Sequence, residues 1–135
     1  MDITLTPVIS LFIAGLVAAL AVAIYIVIAD RKVGSTAVAA SLSAGFAAFT
    51  AITIWQTGLI PVWENHTANL WGVQVWWDLL FAVGIALFLI APRAREQGMN
   101  LPLWTLFVIS TASIGLLAMC AVLFRKERAA AGDAA

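Results

Sequence analysis

The hydrophobic positions of this chain fall into four long runs set apart by short polar breaks: Pro7 to Ala29, Ala37 to Ile60, Leu70 to Ala91 and Pro102 to Phe124. Each run is about 22 to 24 residues long, and about 20 suffice for a helix to cross the hydrocarbon core of a bilayer. Backbone groups in lipid have no water to bond to, so each run is expected to be helical throughout. The breaks agree with this. Asp30-Arg31-Lys32 and Gly34-Ser35-Thr36 part the first pair of runs, and Pro92-Arg93 through Asn100 part the last pair. Pro102 stands where the first turn of a helix tolerates proline. A polar link, Pro61 to Asn69, joins the two pairs and holds Glu64, Asn65 and His66. The expected fold is all-α, an integral membrane four-helix bundle forming one domain over residues 1–128. The Ala-rich tail, 129–135, is expected to be disordered.

Composition points the same way. Of 135 residues, 64% are hydrophobic and 10% charged, where a soluble domain carries about a quarter charged residues. So few charges leave too little polar surface to face water, so the lipid bilayer is the first expected partner. The first run has Asp2 and no Lys or Arg before it, and it exceeds the roughly 7–15 apolar residues of a signal peptide. It reads as a retained helix. The seven basic residues sit in short clusters at the ends of runs and form no basic face, so a nucleic-acid partner is not expected. Cys120, the one cysteine, excludes an intrachain disulfide, and no Cys-based metal site is expected.

Charge also bears on orientation. Arg31, Lys32, Arg93 and Arg95 follow the first and third runs, while the middle link holds no Lys or Arg. The positive-inside rule places both basic loops in the cytoplasm. Four full crossings then put the C-terminal end, with Arg125, Lys126 and Arg128, on the other side. The expectation is that both termini lie outside, with the early loop dominating.

Five of the six tryptophans, Trp55, Trp63, Trp71, Trp76 and Trp77, fall at or near the end served by the middle link. Indole rings favour the headgroup level, which makes them interfacial anchors. The alternative is that two or three of them line a pocket opening on that side.

Asp78 is the only charged residue inside any of the four runs. A carboxylate at that depth costs roughly 2.5–3.5 kcal/mol on insertion scales, so it is expected to face the bundle interior and to have a partner. Gln74 lies one helical turn before it and Trp71 two turns before, a stripe from the rim inward. By counting along each run, Thr53, Gly15 and Gly115 stand level with Asp78, with Ser113 slightly deeper near Ser110 and Thr111. Asp78 reads either as a ligand-binding or proton-handling group, or as one end of an interhelical hydrogen bond worth about 1 kcal/mol. The candidate ligand-binding set is Asp78, Gln74, Trp71, Trp77, Thr53 and Ser113, in a pocket between the second, third and fourth runs.

Glu64 and His66 form a polar pair at the outer rim. A histidine beside an acid can shuttle a proton, but the chain has one histidine and spacing supplies no second metal ligand. A solvated link without a metal is the expectation. Asn65-His66-Thr67 also matches the short glycosylation acceptor pattern. Gly15 with Ala19, and Ala40, Ala44, Gly45 and Ala48, have the small-residue spacing that lets helices approach in lipid. There is no nucleophile elbow, phosphate-cradling glycine loop, zinc-protease pair or CxxC, and no cofactor is indicated.

From Trp55 onward the chain resembles a family of small bacterial membrane proteins of unknown function. The resemblance is carried by Ile54-Trp55-Gln56, Trp77-Asp78-Leu79-Leu80, the loop Arg93 to Gly98-Met99, and the closing Leu123-Phe124-Arg125-Lys126-Glu127-Arg128. It implies the bacterial inner membrane. More distantly, the chain is similar to neoxanthin-synthase-like membrane proteins, which have an intramembrane Asp, a basic loop after it and a last helix ending in Arg. Those often carry a proline in the last helix, and Ser113 to Met119 has none. That similarity implies a link to carotenoid or isoprenoid metabolism. The functional expectations are therefore a binder of a hydrophobic small molecule or an accessory subunit with a membrane partner, then an isoprenoid or carotenoid isomerase with Asp78 as acid, then a transporter component acting as an oligomer.

Overall fold

A computed structural model of the chain describes residues 6–28 and 34–133. These residues form helices and no strand: α1 (Pro7–Ile28), α2 (Thr36–Thr57), α3 (Ile60–Thr67), α4 (Leu70–Glu96), α5 (Leu101–Thr111) and α6 (Ser113–Asp133). Ala29, Arg31 and Lys32 lie outside the described residues. The chain separates into two compact units, Met1–Lys32 and Val33–Ala135.

The first unit is α1. Thr6 caps it, accepting from the Ile9 amide at 3.3 Å, and none of its residues is buried. With α2 and α4 it makes three helices long and apolar enough to cross a membrane. The polar link expected between the second and third runs is largely helical. Ile60 leaves the second run to begin α3, with Pro61 in the first turn, where a missing amide costs nothing.

The fourth run departs most from expectation. In place of one helix over Pro102–Phe124 there are two, because Ala112 between them takes φ 49° and ψ −120°, a conformation no right-handed helix can pass through. The two fold back on each other. A Cβ added to Gly115 would lie 2.9 Å from Val108 Cα and 3.0 Å from the Phe107 carbonyl oxygen, atoms a straight helix would hold about 10 Å away. Farther from the tip, Leu101 and Trp104 of α5 pack on the cluster that holds Met119 and Leu123 of α6. Hydroxyls flank the turn: Ser110 donates to the Leu106 carbonyl, Thr111 to that of Phe107, and Ser43 of α2 to that of Ile114 at 2.9 Å. The first two return to the carbonyl four residues earlier, a pattern that tends to bend a helix.

Helix α6 is the centre of the second unit, packed against α2, α4 and α5. The core joins Ala94, Met99, Val108, Met119 and Leu123, with Val83, Leu87 and Ile90 of α4 against it. Helix α2 runs antiparallel to α6, from the Arg128 bond to the Gly34 carbonyl at 2.9 Å up to the Ser43–Ile114 bond. Its buried residues are Ala39 and Ser43, a small pair one turn apart. The small residues Ala40, Ala44, Gly45 and Ala48 are exposed, one position out of register with that pair, and do not serve the contact with α6.

Arg93 at the end of α4 donates twice to the Glu127 carboxylate, both bonds at 2.7 Å, and lies 5.7 Å from the Phe124 ring centre. Since Arg93 meets α6 there and Arg128 meets the start of α2, the C-terminal cations gather with those of the third loop. A fourth crossing would have parted them. Helix α6 runs on to Asp133, and residues 134–135 are outside the described ones.

Candidate functional site

The site that the fold builds lies at the corner of α3 and α4. Asn69 starts α4, its side-chain oxygen accepting from the Gly72 amide at 3.0 Å, as an N-cap should. Gly72 lets α3 approach. A Cβ there would collide with the Asn65 carbonyl oxygen and come within 3.2 Å of the His66 backbone. Only glycine fits between the two helices at this distance.

Beside that contact is a groove of about 520 Å³. Its apolar walls are Leu59, Val62 and Trp63 from the α2–α3 side and Val73 and Trp76 from α4, and its polar residues are His66 and Thr67. His66, expected in a solvated link, is half-buried on α3, its ring edge-on to Trp76 with centroids 5.0 Å apart. Its Nδ1 donates to the Val62 carbonyl, which can only accept, and in the neutral ring this leaves Nε2 as an acceptor. The Thr67 hydroxyl donates to the Trp63 carbonyl at 2.9 Å. The groove is thus an apolar slot whose acceptors are the His66 ring and the Thr67 hydroxyl oxygen. Such a slot suits an elongated hydrophobic molecule bearing a hydroxyl or N–H group; it offers no acid–base pair.

The residues singled out from sequence are not brought together. The packed face of α4 reads Gly72, Trp76, Val83, Leu87, Ile90 and Ala94. At about 100° per residue, Trp71, Gln74 and Asp78 lie on the reverse of that face. The stripe exists as expected, but Asp78 is exposed and makes no hydrogen bond among the described residues, so the expected interior partner is not found there. Trp71 is exposed, and Trp77 stacks edge-on to Phe81 at 5.5 Å. Thr53 returns its hydroxyl to the Phe49 carbonyl at 2.9 Å. Ser113 begins α6 at the hairpin tip, and Glu64 is exposed on α3. Among the described residues no three His, Cys, Asp or Glu side chains are grouped to hold a metal.

Sequence reasoning allowed a pocket lined by two or three of the tryptophans but did not join His66 to Trp63 and Trp76. The available signal was spacing: Trp63 and His66 are one turn apart behind a helix-starting Pro61, and Asn69 with Gly72 marks a cap followed by a close approach. No family model, curated protein or solved structure matches this chain.

Proposed function

We propose that this chain is an integral membrane protein that binds a lipophilic small molecule in the groove between α3 and α4. All four apolar runs lie in the bilayer in this reading, and the bacterial inner membrane is the setting implied by the resemblance drawn from the sequence. What supports membrane residence is the outward surface: Trp55 is 90%, Phe88 79% and Ile109 72% exposed, a dense apolar exterior that water would drive to aggregate. Trp55, Trp63 and Trp71 ring the end that carries the groove, which sets it at headgroup depth.

The observation that carries the function is the groove itself. Its volume falls within the roughly 300–1,000 Å³ of small-molecule sites, and its wall is apolar apart from His66 and the Thr67 hydroxyl. The fitting ligand class is an amphipathic molecule such as an isoprenoid alcohol or quinol, with its hydrocarbon part against Trp63 and Trp76 and its hydroxyl donating to His66. The test is purification in mild detergent with mass spectrometry of co-eluting small molecules, for the wild type and for Trp76→Ala. A lipophilic compound held by the wild type and lost from the variant is expected. No compound, or equal amounts from both, would sink the reading.

A second reading, an accessory subunit, is favoured by the reverse face of α4. A bare carboxylate at the depth of Asp78 costs roughly 2.5–3.5 kcal/mol, which a polar partner helix covering Gln74 and Asp78 would offset. A stoichiometric protein partner that Asp78→Leu releases would support it, and its retention by that variant would count against it. The isomerase reading needs Asp78 as its acid, and Asp78 does not line the groove.

A further inference from the structure

The two ends of the α5–α6 hairpin lie together, and its tip lies apart from them. Helix α5 has 11 residues and so spans about 16 Å, while a bilayer core is about 30 Å thick. A hairpin of that length reaches the middle of the membrane and turns back. Its open end is tied to two other chain segments, to the end of α4 by Arg93 and Glu127 and to the start of α2 by Arg128 and the Gly34 carbonyl. Arg93, Arg95, Arg125, Lys126 and Arg128 therefore sit at one level, against Glu96 and Glu127. The other end of the unit, from Thr57 to Asn69, carries Glu64 and no Lys or Arg.

We propose that α5–α6 is a re-entrant hairpin whose two ends both lie on the cytoplasmic side, and that the cations gathered there form a surface for the anionic phospholipid headgroups of that leaflet. The positive-inside bias places this end in the cytoplasm, with no cation voting against it among the described residues. Arg95, Arg125, Lys126 and Arg128 are exposed, and Arg125 and Lys126 make no hydrogen bond among the described residues. Their charge is free for headgroup phosphates, whereas Arg93 is neutralised by Glu127. Non-helical backbone at mid-membrane depth is tolerated only inside protein. The tip is covered in part: Ala112 is half-buried, α2 and α4 flank α6, and Ser43 bonds the Ile114 carbonyl. A full crossing by the fourth run would break the Ser43, Arg93 and Arg128 contacts together.

The inference rests on the membrane reading above but not on any occupant of the groove. The test places single cysteines in a Cys120→Ala background at Glu64, Glu96 and Ala130, and labels sealed vesicles of each orientation with a membrane-impermeant maleimide. Glu96→Cys and Ala130→Cys are expected to label from one side and Glu64→Cys from the other. If Ala130→Cys labels with Glu64→Cys, or from neither side, the hairpin is refuted. Release of the protein from membranes by alkaline carbonate would instead sink the membrane reading itself, so the two failures are distinguishable. For the lipid surface, the protein is reconstituted in equal phosphatidylglycerol and phosphatidylcholine, and retained lipids are counted by native mass spectrometry. Phosphatidylglycerol is expected to be enriched, and Arg125→Gln with Lys126→Gln to lower the enrichment by about fivefold per cation removed. Equal retention of the two lipids, or an enrichment unchanged by the variants, overturns that surface.

Discussion

Replacing Gly115 with alanine separates a hairpin from a straight helix by the sign of its effect. At an ordinary site inside a helix, Gly→Ala gains up to about 1 kcal/mol, because alanine loses less backbone entropy on folding. At the hairpin tip the added methyl would lie 2.5 Å from Thr111 Oγ1, 2.9 Å from Val108 Cα and 3.0 Å from the Phe107 carbonyl oxygen. The Thr111 hydroxyl can rotate away at the loss of its 2.7 Å bond to Phe107, a change of about 0.5–1.5 kcal/mol. The two backbone atoms move only if α5 and α6 part, and overpacking of this kind costs about 1–3 kcal/mol. After the propensity gain of about 1 kcal/mol is set against these terms, Gly115→Ala is expected to destabilise by about 0.5–3.5 kcal/mol. Gly45→Ala is the control: Gly45 lies on α2 with nothing within 4 Å of an added Cβ, so the ordinary gain is expected there. The assay is unfolding of detergent-purified protein by sodium dodecyl sulfate, followed by tryptophan fluorescence. If Gly115→Ala is stabilised as much as Gly45→Ala, the two helices do not meet at this point and the hairpin reasoning fails.

Ala112→Gly should act in the opposite direction, stabilising by about 1 kcal/mol because glycine adopts positive φ without a Cβ penalty. A loss of stability in the same titration would mean Ala112 is helical. Arg93→Ala leaves the Glu127 carboxylate, 11% exposed, without its guanidinium, and is expected to cost about 1–2 kcal/mol. Arg93→Lys should recover only part of this, since an ammonium cannot make the paired bonds, and a wild-type unfolding midpoint for Arg93→Ala would refute the claim. Gly72→Ala should push α3 off α4 and lower the amount of small molecule retained through purification, whereas Asp78→Asn should leave retention unchanged. The reverse pattern, read by mass spectrometry, would move the site from the groove to the Asp78 face.

The sequence by itself determined which stretches are apolar and that they are helical, because hydropathy and backbone satisfaction depend on local composition. It also showed the Trp-rich end and the i, i+3, i+7 stripe of Trp71, Gln74 and Asp78. It did not say which way that stripe faces. The runs are apolar on all sides, so a helical period exists without a buried direction until another helix packs; α6 packed on Val83, Leu87 and Ile90 and left Asp78 behind. The same uniformity hid the register of α2, where Ala39 and Ser43 were taken by α6 and their neighbours were not. The middle link concealed the groove because its walls come from separate helices that only the close contact at Gly72 joins. The hairpin was the least legible feature. Hydropathy is the same for a run that crosses the bilayer and one that turns back halfway, and Ala112, the residue that turns, carries none of the marks of a turn. Counting four crossings therefore divides the cations between two ends, whereas the contacts of Arg93 with Glu127 and of Arg128 with Gly34 gather them at one end of the unit.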